Sequence, residues 1–169
     1  MIARRLVASL FVAALALGCS RTRVGGENPW AADAVRGHAV ADERLQAGNA
    51  SGAKEALLAI VNGAVPPGVP ADDRRGVLQD TYFRLAELDL RAGDAPAALA
   101  SADRGLALGR ADDLFVANLL VVRGAAHEAL KDGPAAAADY HAALVINDRL
   151  LAEALHDPSG APRPSGAHP

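Results

Sequence analysis

Few residues in this sequence have the type and spacing to do chemistry. Cys19 is the sole cysteine, so its thiol can act as a nucleophile or carry a modification but cannot close an intrachain disulfide. His127, Glu128 and His141 fall on two neighbouring helical segments and offer two imidazoles and a carboxylate to a metal. No convincing further ligand accompanies them, so no metal is expected. Asp139–Tyr140–His141 sets an acid, a phenol and an imidazole in a row. Tyr140 is read as core and its neighbours as helix surface. Asp72–Asp73 and Asp112–Asp113 are carboxylate pairs ahead of apolar runs, where they are expected to cap helix N-termini, with Asp72 and Asp73 also supplying negative charge there. The sequence holds no HExxH, no glycine-rich phosphate loop after a strand and no GxSxG. No catalytic constellation emerges, and neither an enzyme activity nor a cofactor is expected.

The composition indicates what must position these residues. The chain has 169 residues, enough for one domain with a real core. Hydrophobic residues make up 51% of it but aromatics only 4%. The bulk is alanine, a strong helix former, and strand-favouring runs are scarce, so an all-α fold is predicted. A net charge of −3 from 17 basic and 20 acidic residues is mixed and mildly acidic. Nucleic acid is not an expected partner.

The N-terminal stretch stands apart. Arg4 and Arg5 precede the apolar run Leu6 to Leu17, which is too short to span a bilayer and has the pattern of a secretory signal peptide. It ends in Ala16–Leu17–Gly18–Cys19. These four residues resemble the lipobox of bacterial lipoproteins, with Ala16 where that family usually has leucine. The resemblance implies that residues 1–18 are removed, that the Cys19 thiol takes a diacylglycerol, and that the new amino group is acylated. Buried acyl chains contribute about 0.8 kcal/mol per CH₂, and two or more of them anchor stably. Residues 19–27 would then be a short tether. Ser20, in place of an inner-membrane-retaining aspartate, implies the outer membrane, facing the periplasm, in a Gram-negative cell.

A helical pattern occupies the rest. Asn28–Pro29–Trp30 reads as an N-cap followed by proline at the first helical position, opening a helix to about Ala47. Gly48–Asn49 breaks it, and a second helix covers Ser51 to Val61. Asn62 to Ala71 is a proline loop. The next helix carries Val77, Leu78, Phe83, Leu85, Leu88 and Leu90 and stops at Gly93–Asp94. Another runs from Pro96 to Leu108. Asp112–Asp113 opens a fifth, ending at Lys131–Asp132–Gly133. The last starts at Pro134 and reaches Ile146, with a short cap over Arg149 to Leu155. Residues 156–169 are expected to be disordered.

The breaks recur in phase with small residues. Ala41, Ala86 and Gly124 are each followed seven residues later by Gly48–Asn49, Gly93–Asp94 and Lys131–Asp132, and twelve later by Ala53, Ala98 and Ala136. Gly105 and Ala143 add a third small position to the second and third copies. This pattern resembles the tetratricopeptide repeat (TPR), a unit of about 34 residues formed by two antiparallel helices. Tyr140, Leu120 and Tyr82 stand at places where that family prefers bulky residues. Ile60 and Gly37 depart from the pattern in the first copy. The resemblance covers about Ala34 to Asp148 and implies three stacked TPR-like hairpins, a short α-solenoid over residues 28–155.

In that family the first helix of each hairpin lines a concave face that binds peptides or helices. The alignment sets Val35, His38, Asp42, Gln46, Phe83, Glu87, Arg91, Val121 and Glu128 on or near it. Some repeat adaptors clamp a terminal carboxylate with Lys, Asn and Arg. The corresponding places here include His38, Asp42, Glu87 and Val121, so the groove is expected to take a mixed or basic, partly apolar segment. The function expected is a membrane-anchored scaffold or adaptor for an envelope protein, accessory to an assembly or secretion machine. The alternative is a structural envelope lipoprotein that self-associates through its end faces. An enzyme built on a helical solenoid has the least support.

Overall fold

The computed structural model describes residues 28–156. The expected leader over 1–18, Cys19 with the expected tether over 19–27, and residues 157–169 of the expected tail lie outside the described residues. Six helices make up the fold: α1 (Pro29–Gln46), α2 (Ala50–Asn62), α3 (Ala71–Arg91), α4 (Ala95–Ala107), α5 (Leu114–Ala129) and α6 (Gly133–His156). No strand occurs among the described residues. None of these helices is long and apolar enough to cross a membrane.

Three turns share one construction. Gly48, Gly93 and Lys131 take the left-handed conformation at φ 75°, 79° and 65°. The N–H of the next residue then reaches back along the finished helix. Asn49 donates to the Arg44 carbonyl at 2.8 Å, Asp94 to Asp89 at 2.8 Å and Asp132 to His127 at 2.9 Å. This bond satisfies a carbonyl that the helix end leaves orphaned. The same three residues open the following helix with their side chains. Asn49 accepts from the Gly52 N–H at 2.8 Å, Asp94 from Ala97 at 3.0 Å and Asp132 from Ala135 at 3.2 Å. One short residue therefore closes one helix and caps the next. Lys131 fills the left-handed position without glycine's freedom, at a cost on the order of 1 kcal/mol.

The cap of α3 differs from expectation. Its N-cap is Pro70, which has no side-chain acceptor, and Asp72 and Asp73 lie within the first turn. They act there as charges at the positive end of the helix. Asp113 does cap α5, accepting from the Val116 N–H at 3.0 Å. The expected short cap over Arg149 to Leu155 is no separate element, because α6 continues unbroken to His156. No glycine or proline interrupts it, and Leu150 packs on the core formed by Leu119, Leu120 and Ile146.

Helices α1 and α2, α3 and α4, and α5 and α6 pack together. Helix α2 also lies on α3 and α4 on α5, while α1, α3 and α5 touch in succession. Small residues permit this closeness, since helix axes approach to about 8–10 Å only where side chains are short. Ala53, Ala86, Ala98, Ala102, Ala117 and Ala126 are all fully buried. A methyl group added at Gly105 would fall 2.7 Å from a Leu119 methyl, and one at Gly124 would fall 2.8 Å from the Tyr140 ring. The two departures in the first copy compensate each other. The Ile60 side chain fills the space that a Cβ on Gly37 would need, 2.9 Å away.

Two stability changes follow. Ala98→Phe should overpack the α3–α4 contact and cost about 1–3 kcal/mol. An unchanged melting temperature would contradict that packing. Lys131→Gly should raise unfolding stability by about 1 kcal/mol by relieving the left-handed residue, read as a shift in the denaturant midpoint.

Candidate functional site

On α3, Phe83, Glu87, Leu90 and Arg91 recur at helical spacing and form one stripe. On α5, Asn118, Val121, Val122 and Ala125 form another. Between them lies a cleft of about 290 Å³ with an apolar floor. Glu87 and Arg91 stand one turn apart at its rim, paired at 3.5 Å. The same two residues border a smaller, more polar notch of about 100 Å³ between α1 and α3, shared with Asp42, Leu45 and Arg84. Cleft and notch thus follow one another along the α1–α3–α5 side. The floor can take apolar side chains, and the rim offers one carboxylate and one guanidinium to polar groups.

Four of the nine groove residues named from sequence, Phe83, Glu87, Arg91 and Val121, line this cleft. Asp42 lines the notch and pairs with Arg84 at 3.1 Å. His38 is turned into the α1–α3 contact instead. Its Nε2 lies 2.8 Å from the Thr81 hydroxyl and its Nδ1 3.3 Å from Asp80. Val35 is exposed on α1 and Gln46 ends that helix, neither lining the cleft. Glu128 is taken by the Tyr140 hydroxyl, which donates to it at 3.0 Å.

The other chemistry-bearing residues disperse. His127 lies 3.8 Å from Asp132 and 3.9 Å from Asp139, and His141 is exposed. Among the described residues no group of three His, Cys, Asp or Glu is placed to hold a metal. Asp139 is not helix surface as expected. It is buried and accepts two bonds from the Arg123 guanidinium, at 2.8 and 2.6 Å, while Arg123 also donates to Asp103 at 3.0 Å. These bonds, chiefly those to Asp139, push the Arg123 pKa up. Tyr140 is only partly core: its ring covers Gly124 and its hydroxyl reaches the surface. Burial, then the bond to Glu128, push its phenol above the ordinary value.

A larger cleft, about 500 Å³, was not anticipated. It lies between α1 and α2, lined by Trp30, Gly37, Val40, Ala56 and Ile60 with Arg44 at its side, and no α3 residue borders it. The sequence signal for it was the lone tryptophan at the helix start with small or apolar residues following at helical spacing.

Burial, which outweighs the pull of Asp80 and Asp42, holds the His38 imidazole below its ordinary value of 6.5, and Arg84 pushes in the same direction. The unfolded chain therefore binds this proton at a higher pH than the fold does. The stabilisation from a neutral His38 is fully present above about pH 6.5 and is lost as the pH falls below it toward the folded value. The melting temperature should drop between pH 7 and pH 5.5 more steeply in the parent chain than in His38→Gln; equal slopes would contradict this.

Compared with models of known protein families and with curated proteins, the chain matches none.

Proposed function

We propose that this chain is a non-enzymatic interaction scaffold of a bacterial cell envelope, lipid-anchored through Cys19 and built from three TPR-like hairpins. In a Gram-negative cell it would face the periplasm from the outer membrane. Its binding surface is the α3–α5 cleft with the adjoining notch, and its ligand is a partly apolar segment of an envelope protein, of mixed or basic charge. The observation that carries this reading is the cleft itself: Phe83, Leu90, Val121 and Val122 line one concave space with Glu87 and Arg91 at its rim. Apolar lining with a few convergent polar groups is the usual composition of a binding cleft. The three repeated turns and the buried small residues support the repeat architecture. Ala16–Leu17–Gly18–Cys19 and the arginines before it support the anchor. The identification of function rests on the site, since a helical stack by itself serves many roles.

Two experiments test it. A photo-reactive side chain at Glu87 should trap one envelope protein in the native cell, and one at the exposed Ala100 of α4 should not. Val121→Glu should lower the Glu87 adduct at least tenfold while leaving the melting temperature intact. Equal adducts from both positions, or none from Glu87, would contradict the groove. Cys19→Ser should abolish incorporation of labelled palmitate and release the chain from the membrane fraction; unchanged labelling would contradict the anchor.

A further inference from the structure

The outer face of α6 has the wrong character for the end of a helical stack. A terminal repeat stays soluble by presenting a polar outer face. Here Leu144, Val145, Leu151 and Leu155 are 54%, 56%, 59% and 72% exposed. The inner face, with Ala136, Asp139, Ala143 and Ile146 buried, packs on α5. On the outer face Ala137, His141, Leu144, Asp148, Leu151 and Leu155 recur in alternating steps of four and three, all of them exposed. That is the spacing of a coiled-coil seam. Arg149 reaches back to the Asp112 carbonyl at the entrance to α5, and the last turns of α6 run on past that point.

We infer that α6 is a homodimer interface in which two copies of the chain pair these helices antiparallel about a two-fold axis. The polar members of the seam select the occupant and its direction. A parallel pair would set His141 against His141 and Asp148 against Asp148, like on like. The antiparallel register that overlaps the whole stripe faces Ala137 with the partner's Leu155, His141 with the partner's Leu151 and Leu144 with the partner's Asp148. Each His141 then lies one seam step from the partner's Asp148, and an imidazole N–H can donate to that carboxylate in either protonation state. The pairing occurs twice by symmetry, and a two-fold arrangement closes without leaving a free end. An Ala137–Leu155 layer closes the seam at each end, and the two Asp148 side chains flank the two-fold axis one seam step apart, each within reach of the other copy's imidazole. The α3–α5 cleft takes no part, so the dimer would present two of them, and the inference does not depend on what that cleft binds.

The test is disulfide trapping in the full-length chain. Two differently tagged copies carry Ala137→Cys and Leu155→Cys and are co-expressed and mildly oxidised, with the unsubstituted chain reporting any Cys19-linked background. The expected result is a mixed disulfide between the Ala137→Cys and Leu155→Cys copies and none between two Ala137→Cys copies. Adding Leu144→Glu and Leu151→Glu should lower the trapped yield at least tenfold while the helical circular dichroism stays that of the parent, since both side chains are exposed in the single chain. A disulfide between two Ala137→Cys copies would overturn the antiparallel pairing. An undiminished yield with the two glutamates, or no trapping in any combination, would overturn the interface, including where α6 instead binds lipid vesicles or another protein.

Discussion

Helix α3 is the contact on which the rest of the structure depends. It touches α1, α2, α4 and α5. Its apolar share of this is Leu85 and Ala86, both essentially without solvent contact. Its polar share fixes the neighbours individually. Gln79, fully buried, donates to the Gly105 and Gly109 carbonyls at 3.2 and 2.8 Å, tying α3 to the end of α4. Thr81 meets His38 of α1, Asp89 meets Lys54 of α2, and Arg75 meets Asp113 at the cap of α5 at 2.7 Å. A buried polar group that loses its partner costs about 1–3 kcal/mol, so a shifted register would strand several at once. Hydrophobic burial drives the helices together, and these bonds select one arrangement.

The groove is a consequence of the same arrangement. With four neighbours packed around it, α3 keeps one stripe uncovered, and α5 lies close enough to supply the opposite wall. Had larger residues stood at Ala86, Ala98 or Ala126, the helices could not approach as they do, and the cleft walls would separate. The proposed partner site is thus coupled to core packing: substitutions far from Phe83 and Val121 can reshape it by altering helix spacing. Two further apolar surfaces, the α1–α2 cleft and the outer stripe of α6, belong to the first and last helix pairs, where no further helix among the described residues covers them.

Much of this was legible because it is local. The helix breaks showed in the sequence as Gly or Lys followed by Asn or Asp, because the left-handed residue and the capping side chain act within one turn of chain. The small residues were legible through their recurrence, and they predicted which helix faces are buried. At the start of α3 the first-turn charge of Asp72 and Asp73 was legible but the cap was misplaced, because aspartates serve equally well in both positions and Pro70 takes the N-cap. Asp139 and His38 were read as surface because a charged or titratable residue on a helix usually is. Their partners, Arg123 and the Thr81–Asp80 pair, come from other helices, and such pairings depend on inter-helix distance rather than local pattern. The exchange of size between Gly37 and Ile60 was visible as two departures but not as a compensating pair. Of the residues lining the α3–α5 cleft, Phe83, Glu87, Arg91 and Val121 were named from the sequence, whereas Leu90, Asn118, Val122 and Ala125 were not, because which residues border the space depends on how the helices turn relative to one another.

Native-state hydrogen exchange, resolved by residue, tests the central role of α3 most directly. If the stack is held through this helix, the amides flanking Leu85 to Asp89 exchange slowest, and those of α1, α2, α4 and α5 open no later than they do. The contradicting result would be α1–α2 or α5–α6 remaining protected after α3 has exchanged, which would mean that the helix pairs stand independently and the groove is not built on a single core.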